Sequence, residues 1–200
     1  MNSNMNLYKA DIEYCNYLHY YEPKISYIEN EKENRPFIGV ILNVNGKNFF
    51  APLTSPKKKH LSMKNMQDFL KIDGGKLGGI NLNNMIPIPS SFLEKIKIDK
   101  IEDKKYKNMI INQMNWINLN TLRIQNRARN LYYIISNGKA NKDLQDRCCN
   151  FKLLEKRCDD YMRENNVNEE ENHDYGGIPG STGGCCRRLS PLLRQDAFWP

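Results

Sequence analysis

The segment PFIGVILNVNGKNFFAPL, residues 36–53, constrains the fold of this chain more than any other. Two apolar runs, residues 37–42 and 49–53, flank a turn that contains Asn45-Gly46. Asn-Gly tolerates the positive φ angles of a tight hairpin turn, so the two runs are expected to pair as antiparallel strands. Residues 69–72 and 77–82 repeat the pattern around Asp73-Gly74-Gly75. Residues 85–88 read as a further short strand, and their prolines confine it to an edge, because proline has no N–H to donate to a ladder. Ahead of the hairpin, YKADIEYCNYLHYYEPK reads as a strand followed by a helix. Asp11 is the expected N-cap, Tyr14, Leu18 and Tyr21 recur at helical spacing, and Pro23 follows the stop.

The second half of the chain changes period. YKNMIINQMNWINLNTLRIQNRARNLYYIIS carries apolar residues at Met109, Ile110, Met114, Ile117, Leu122, Leu131 and Ile135. That spacing predicts two helices with a break near residues 118–120. Gly138 ends the second, and NFKLLEKRCDDYMREN is a final helix. Strands early and helices late predict an α+β fold, a small antiparallel sheet with helices packed on it. Residues 1–164 are read as one domain. From residue 165 the composition turns acidic, then rich in Gly, Ser and Pro. Residues 165–200 are read as a tail, disordered or appended by cloning, that lies outside the fold.

Charge narrows the partners. The chain carries 30 Lys and Arg against 23 Asp and Glu, a net charge of +7. The excess belongs to the body: residues 1–162 hold 26 basic and 17 acidic residues, and residues 163–200 hold 4 and 6. A basic body favours a polyanionic partner such as nucleic acid or a membrane surface. No apolar run approaches the roughly 20 residues that span a bilayer, and the N-terminus lacks the apolar core of a secretory signal. No membrane role is expected, and the cytoplasm is the expected location. The six cysteines include two adjacent pairs, Cys148-Cys149 and Cys185-Cys186, with no C-x-x-C spacing. Reduced, structural thiols fit this pattern better than disulfides or zinc ligands.

Three motifs bear on chemistry. GGKLGG, residues 74–79, fails as a P-loop: Leu77 stands where Ser or Thr would hold Mg²⁺, and Leu70 where the first glycine belongs. Its G-x-x-G core matches the loop of RNA-binding KH modules, but its strand-like neighbours make a hairpin turn the simpler reading. Glu29, Glu31 and Glu33 alternate in a polar loop, and no inward-facing carboxylate pair can be picked out for two-metal catalysis. The third motif is APLTSPKKKH, residues 51–60. Thr54 and Ser55 leave a strand directly, Pro52 and Pro56 stiffen both sides, and Lys57, Lys58, Lys59 and His60 follow. Hydroxyls and ammonium groups on a rigid edge can bind the nonbridging oxygens of a phosphodiester and protonate a departing 5′-oxygen. The fitting chemistry is RNA cleavage without a metal, by attack of the ribose 2′-OH, leaving a 2′,3′-cyclic phosphate and a 5′-OH. His60 adds a group that titrates near neutrality. A loop that grips phosphate without cutting is the other reading, and on the loop alone it is the favoured one.

The P-L-T-S-P-K segment, followed at this distance by GKLGGINLNNMIPIP, resembles the ToxN/AbiQ family, toxins of type III toxin–antitoxin and abortive-infection systems. The likeness covers about residues 7–162 and includes KYKNMIINQMNWIN and CNFKLLEKRCDDY. It implies a metal-independent endoribonuclease with no cofactor, on a strongly twisted antiparallel sheet similar to that of the MazF and Kid toxins. It implies an RNA antitoxin of repeated pseudoknot units, which the toxin cuts from a precursor and which closes with it into a ring, commonly three proteins with three RNAs. Cellular or phage RNA is the implied substrate. By position, Thr54, Ser55 and Lys57 match the family's hydroxyl–hydroxyl–lysine motif. Arg35 matches a basic residue near the scissile phosphate, and Tyr14 an aromatic near the site. A family tyrosine before the first hairpin strand falls on Glu31 here, with Tyr27 nearby but out of register. The RNA groove is expected to draw on Lys9, Lys24, Lys58, Lys59, His60, Lys104, Lys105, Lys107, Arg123, Arg127 and Arg129. The alternatives are a non-catalytic RNA-binding module and a MazF-like nuclease with a protein antitoxin.

Overall fold

A computed structural model of the chain describes residues 5–28, 36–64 and 66–165. Strand β1 (Asn6–Ala10) leads into helix α1 (Ile12–Tyr21), whose cap is the expected one: Asp11 Oδ1 accepts from the Tyr14 N–H at 2.8 Å. The predicted hairpin follows as β2 (Phe37–Val44) and β3 (Lys47–Thr54). Asn45 and Gly46 between them both take positive φ, +52° and +75°, the turn whose twist matches that of the strands. The pairing shifts register between Ile38 and Leu42. Gly39 lies in that bulge, and a Cβ there would overlap the Phe50 ring.

After a short helix α2 (Lys58–Ser62) come β4 (Phe69–Lys71), β5 (Gly79–Asn81), β6 (Ile86–Pro87) and β7 (Leu93–Lys95). Among the described residues these form one antiparallel sheet of seven strands, ordered β4-β5-β3-β2-β1-β7 with β6 also on β3. The outer edge of β3 is shared. β6 pairs with Phe49 and Phe50, and β5 with Leu53 and Thr54. Pro52, without an N–H, falls between the two. Thr54 thus ends its strand beside β5, near the entry to β2, whose Pro36 carbonyl accepts from the Leu53 N–H at 2.8 Å. Strand β7 was not foreseen, since LEK is too short to show alternation; it forms by pairing with β1.

The helical half is α3 (Lys104–Leu119), α4 (Thr121–Ser136), α5 (Lys142–Arg147) and α6 (Phe151–Glu164). The break between α3 and α4 sits where polar side chains turn onto nearby backbone. Asn120 Nδ2 donates to the Trp116 carbonyl at 2.8 Å, and Thr121 Oγ1 to that of Asn118 at 3.1 Å. Gly138, at φ +64°, closes α4. Phe49 fixes the helices to the sheet, meeting Tyr132 of α4 at 5.7 Å and Phe151 of α6 at 6.2 Å, both edge-on. Ile110, Met114, Ile117 and Leu131 are buried as expected, but Leu122 is 61% exposed. The break resets the helical phase, so Ile124 and Ala128 take the inner face instead. Cys15, Cys148 and Cys149 are buried. Burial first pushes the thiols of Cys15 and Cys148 up to about 12, and that of Cys149 higher still, which keeps them protonated packing groups. No described helix is long and apolar enough to cross a membrane. The tail reading falls, beyond Asn165, outside the described residues, as do Cys185 and Cys186.

Candidate active site

Thr54 is the last residue of β3, and Ser55 and Lys57 follow before α2 begins. Lys57 is the N-cap of α2. Its N–H donates to Nδ1 of His60 at 3.3 Å, and its carbonyl accepts from the His60 N–H at 2.9 Å. This reciprocal pair has the logic of a capping box, with histidine in the place of Glu or Gln. An imidazole that accepts at Nδ1 carries its proton on Nε2. Burial first, then Lys59, Lys57 and Lys71, push the His60 pKa below its ordinary value. The expectation that His60 meets RNA is corrected here. The residue is 2% exposed and its ring centroid lies 5.2 Å from that of Phe69, so it holds the Lys57 backbone from inside the fold.

The GGKLGG segment, read from sequence as a plain turn, is the floor beneath this loop. Gly75 and Gly78 take φ of +99° and +86°. A Cβ on Gly75 would overlap the His60 carbonyl, and one on Gly78 the Thr54 carbonyl. Two glycines therefore let the turn lie flush under both ends of the loop. The Leu77 carbonyl between them accepts from Gln113 Nε2 at 2.7 Å, which ties α3 to the floor.

Helix α3 supplies the facing wall. Tyr106, Met109, Ile110 and Gln113 recur every three or four residues and share a cleft of about 130 Å³ with Thr54, Ser55 and Lys57. Pro36 and Leu53 complete it. Asp103 caps the helix, its Oδ1 accepting from the N–H groups of Lys105 at 2.8 Å and Tyr106 at 3.0 Å, which fixes the turn carrying the phenol. Burial pushes the Tyr106 pKa up, so the group is a neutral hydroxyl at physiological pH. Lys104 and Lys105 are exposed in the same turn, and Lys58 and Lys59 on α2. Sequence reasoning assigned no role to Tyr106 or Gln113. For Gln113 a signal existed: a polar residue on the buried face between Ile110 and Ile117. For Tyr106 it was fainter, an aromatic inside the basic run KKYK. Among the described residues no three His, Cys, Asp or Glu side chains gather where they could share a metal ion.

Other expected site residues lie elsewhere. Tyr14 is corrected to a core residue: it is fully buried, its hydroxyl donates to the Pro87 carbonyl at 2.6 Å, and its ring stacks on Phe92 at 5.2 Å. Burial, then Cys158, raises its pKa well above the ordinary phenol range. A sealed phenol with its hydroxyl engaged cannot reach a substrate. Arg35 and Glu31 lie outside the described residues, and Tyr27 is exposed beside His19. Lys24 is engaged in the fold, its ammonium donating at 2.7 Å to the carbonyl of Cys148, the C-cap of α5. Lys107 likewise donates to the Asp99 carbonyl at 2.6 Å. Lys9 is exposed in a separate hollow with Asp11, Glu13 and Glu94. Arg123 and Arg127 line a groove of about 550 Å³ along α4 with Gln67, Asn126 and Asn130. Arg127 is held there by the carbonyls of Met66 and Gln67, Arg123 is exposed, and Arg129 donates to Asn126 at 3.1 Å.

Residues 6–159 match the family described as Toxin ToxN, type III toxin–antitoxin system. The chain belongs to the ToxN family. The match covers every segment that lines the cleft, from Pro36 to Gln113. Endoribonuclease ToxN of Pectobacterium atrosepticum is 31% identical over 174 residues, 83% of this chain and 99% of its own. The structure of AbiQ, a lactococcal anti-phage endoribonuclease of the type III toxin–antitoxin system, aligns with a TM-score of 0.70 at 25% identity over 80% of this chain and 99% of its own. A type III system whose toxin is selectively inhibited by a non-coding RNA pseudoknot aligns at 0.68 with 28% identity, again over 80% and 99%. The ToxN resemblance carried by the P-L-T-S-P-K segment is thereby borne out.

Proposed function

We propose that this chain is an endoribonuclease toxin of a type III toxin–antitoxin system and that it cuts RNA, without a metal ion, in the cleft between the 54–57 loop and α3. The observation that carries the reading is the convergence of Thr54, Ser55 and Lys57 on one cleft, on a loop stiffened from below by two glycines and from within by His60. The ribose 2′-oxygen bonds to phosphorus, and its proton is lost to a general base. The bond from phosphorus to the 5′-oxygen breaks, and the Lys57 ammonium protonates the departing oxygen. The hydroxyls of Thr54 and Ser55 donate to the nonbridging oxygens, where charge builds in the transition state. Arg35 is a further cation for that phosphate, on its family position alone. The products are a 2′,3′-cyclic phosphate and a 5′-OH.

Ser55→Ala and Lys57→Ala separate cutting from gripping. Each is expected to slow cleavage by about 10²–10⁴-fold with little change in RNA affinity. Both variants cutting at the parental rate would overturn the site. Activity lost in chelator and restored by magnesium, or fragments ending in a plain 3′-OH, would overturn the metal-free route.

The proposed partner is an RNA antitoxin. The support is the pseudoknot inhibitor of the structural relative and the basic body of this chain. Repeated pseudoknot units, cut by the toxin from their precursor, close with it into a ring of three proteins and three RNAs. Co-purified material and native mass check this; a bound protein in place of nuclease-sensitive RNA would count against it.

A further inference from the structure

Gln113 lines the cleft with one polar atom unaccounted for. Its amide is not free to flip, because Nε2 donates to the Leu77 carbonyl at 2.7 Å. That leaves Oε1 as an acceptor. The residue is 1% exposed, and Oε1 has no hydrogen-bond partner. A buried amide oxygen without a donor carries a standing desolvation penalty. The next positions on this face, Ile110 and Met114, are apolar and carry none. A glutamine kept only for packing could be replaced by leucine with gain.

The surroundings divide into two ends. Thr54, Ser55 and Lys57 make a polar end suited to phosphate. The other end has apolar walls from Leu53, Met109 and Ile110, the ring of Tyr106 and the single acceptor of Gln113. Apolar walls, an aromatic ring and one hydrogen-bonding group match an unpaired nucleobase, which is flat, stacks on aromatics and is read along its edge. Met109, unbranched and half-buried, is the wall that can shift to admit that edge.

Resting on the reading of this cleft as the cutting site, we infer that Gln113 is a specificity-determining residue whose Oε1 accepts a hydrogen bond from the exocyclic amine of the base beside the scissile phosphate. Adenine, cytosine and guanine present such an amine. Uracil presents carbonyl oxygens and a single ring N–H between them, so an acceptor facing its carbonyl is repelled and stays unpaired. The cleft therefore favours amino-bearing bases over uracil.

The competing role for Gln113 is mechanical: by holding Leu77 it steadies Gly78 beneath Thr54. Base preference separates the two, since a loosened floor slows cutting whatever the sequence. The test uses the full chain against RNAs that differ only in the base flanking the cleaved bond, with kcat and KM measured for each. The parent is expected to cut the best amino-bearing substrate at least about tenfold faster than its uracil counterpart. Gln113→Leu is expected to bring that ratio close to one, by losing rate on the amino-bearing RNAs alone. Gln113→Glu retains an acceptor while giving up the donor to Leu77, and is expected to keep the ratio; it serves also if the leucine variant fails to fold. A uniform loss across all bases in Gln113→Leu, an unchanged profile, or a parent without preference would overturn the inference. Ser55→Ala measured alongside distinguishes the two levels. Cleavage abolished there with the base ratio intact in Gln113→Leu overturns only the role of Gln113. Undiminished cleavage by Ser55→Ala overturns the cleft reading and this inference together.

Discussion

His60 is a neutral imidazole at the point where the loop turns into α2, and its titration is expected to be visible in stability. Its pKa in the fold lies below the ordinary 6.5. Between those two values the unfolded chain binds more protons than the folded one. The stabilisation is therefore full above about pH 6.5 and is lost as the pH falls toward the folded-state value. Protonation also turns Nδ1 from an acceptor into a donor and breaks the bond from the Lys57 N–H. The melting temperature is expected to drop as the pH is lowered below about 6.5, and His60→Asn, which supplies an amide oxygen near the same place, to flatten that drop. Parallel melting curves for parent and variant across this range would show that His60 is not the group responsible.

The turn between β4 and β5 and the loop after β3 are one unit in packing, although His60 and Gly78 are 18 positions apart in the chain. Gly74 and Gly78 give a matched pair of tests. Both have positive φ, +62° and +86°, so alanine is strained at either position by about 1–2 kcal/mol. At Gly74 the added methyl meets nothing within 4 Å, whereas at Gly78 it strikes the Thr54 carbonyl. Gly74→Ala is expected to lose stability but keep its cleavage rate in the folded fraction. Gly78→Ala is expected to lose roughly a further 1–3 kcal/mol from overpacking, and cleavage with it. Denaturant unfolding paired with single-turnover cleavage measures both; equal activity in the two variants would mean that the floor does not position the hydroxyls.

Over the molecule as a whole, charge is expected to set how RNA is gripped. Residues 1–162 carry 26 basic against 17 acidic residues. The cations divide into those that face water near the cleft, such as Lys58, Lys59, Lys104 and Lys105, and those already engaged by the fold, such as Lys24 on the Cys148 carbonyl. Affinity for single-stranded RNA is expected to fall with salt, with a slope of about 0.7 per phosphate contact. Replacing Lys58 and Lys59 by Gln is expected to reduce that slope by about 1.4 in total. Lys24→Gln is expected to lower the melting temperature while leaving the slope almost unchanged. Titrations at four or five salt concentrations decide it, and a slope unaffected by the double change would move the RNA path away from α2.

What could be read along the chain was whatever a few neighbouring residues decide among themselves. Asn45-Gly46 turned the hairpin, Asp11 began α1, Gly138 ended α4, and the hydroxyls and lysine of residues 54–57 came out together, because backbone preference and capping act over three or four residues. Folding added every contact between distant segments. It sealed Tyr14 against Pro87, 73 residues away, and turned His60 inward. It paired the short LEK segment with β1 and laid the glycine turn beneath the loop. It also brought Tyr106 and Gln113 to the cleft, the latter through a bond to a carbonyl 36 residues earlier. Which side of a helix faces a loop depends on how the elements pack, and packing is settled by the volume and polarity of all the surfaces at once, a sum that no short window of sequence contains.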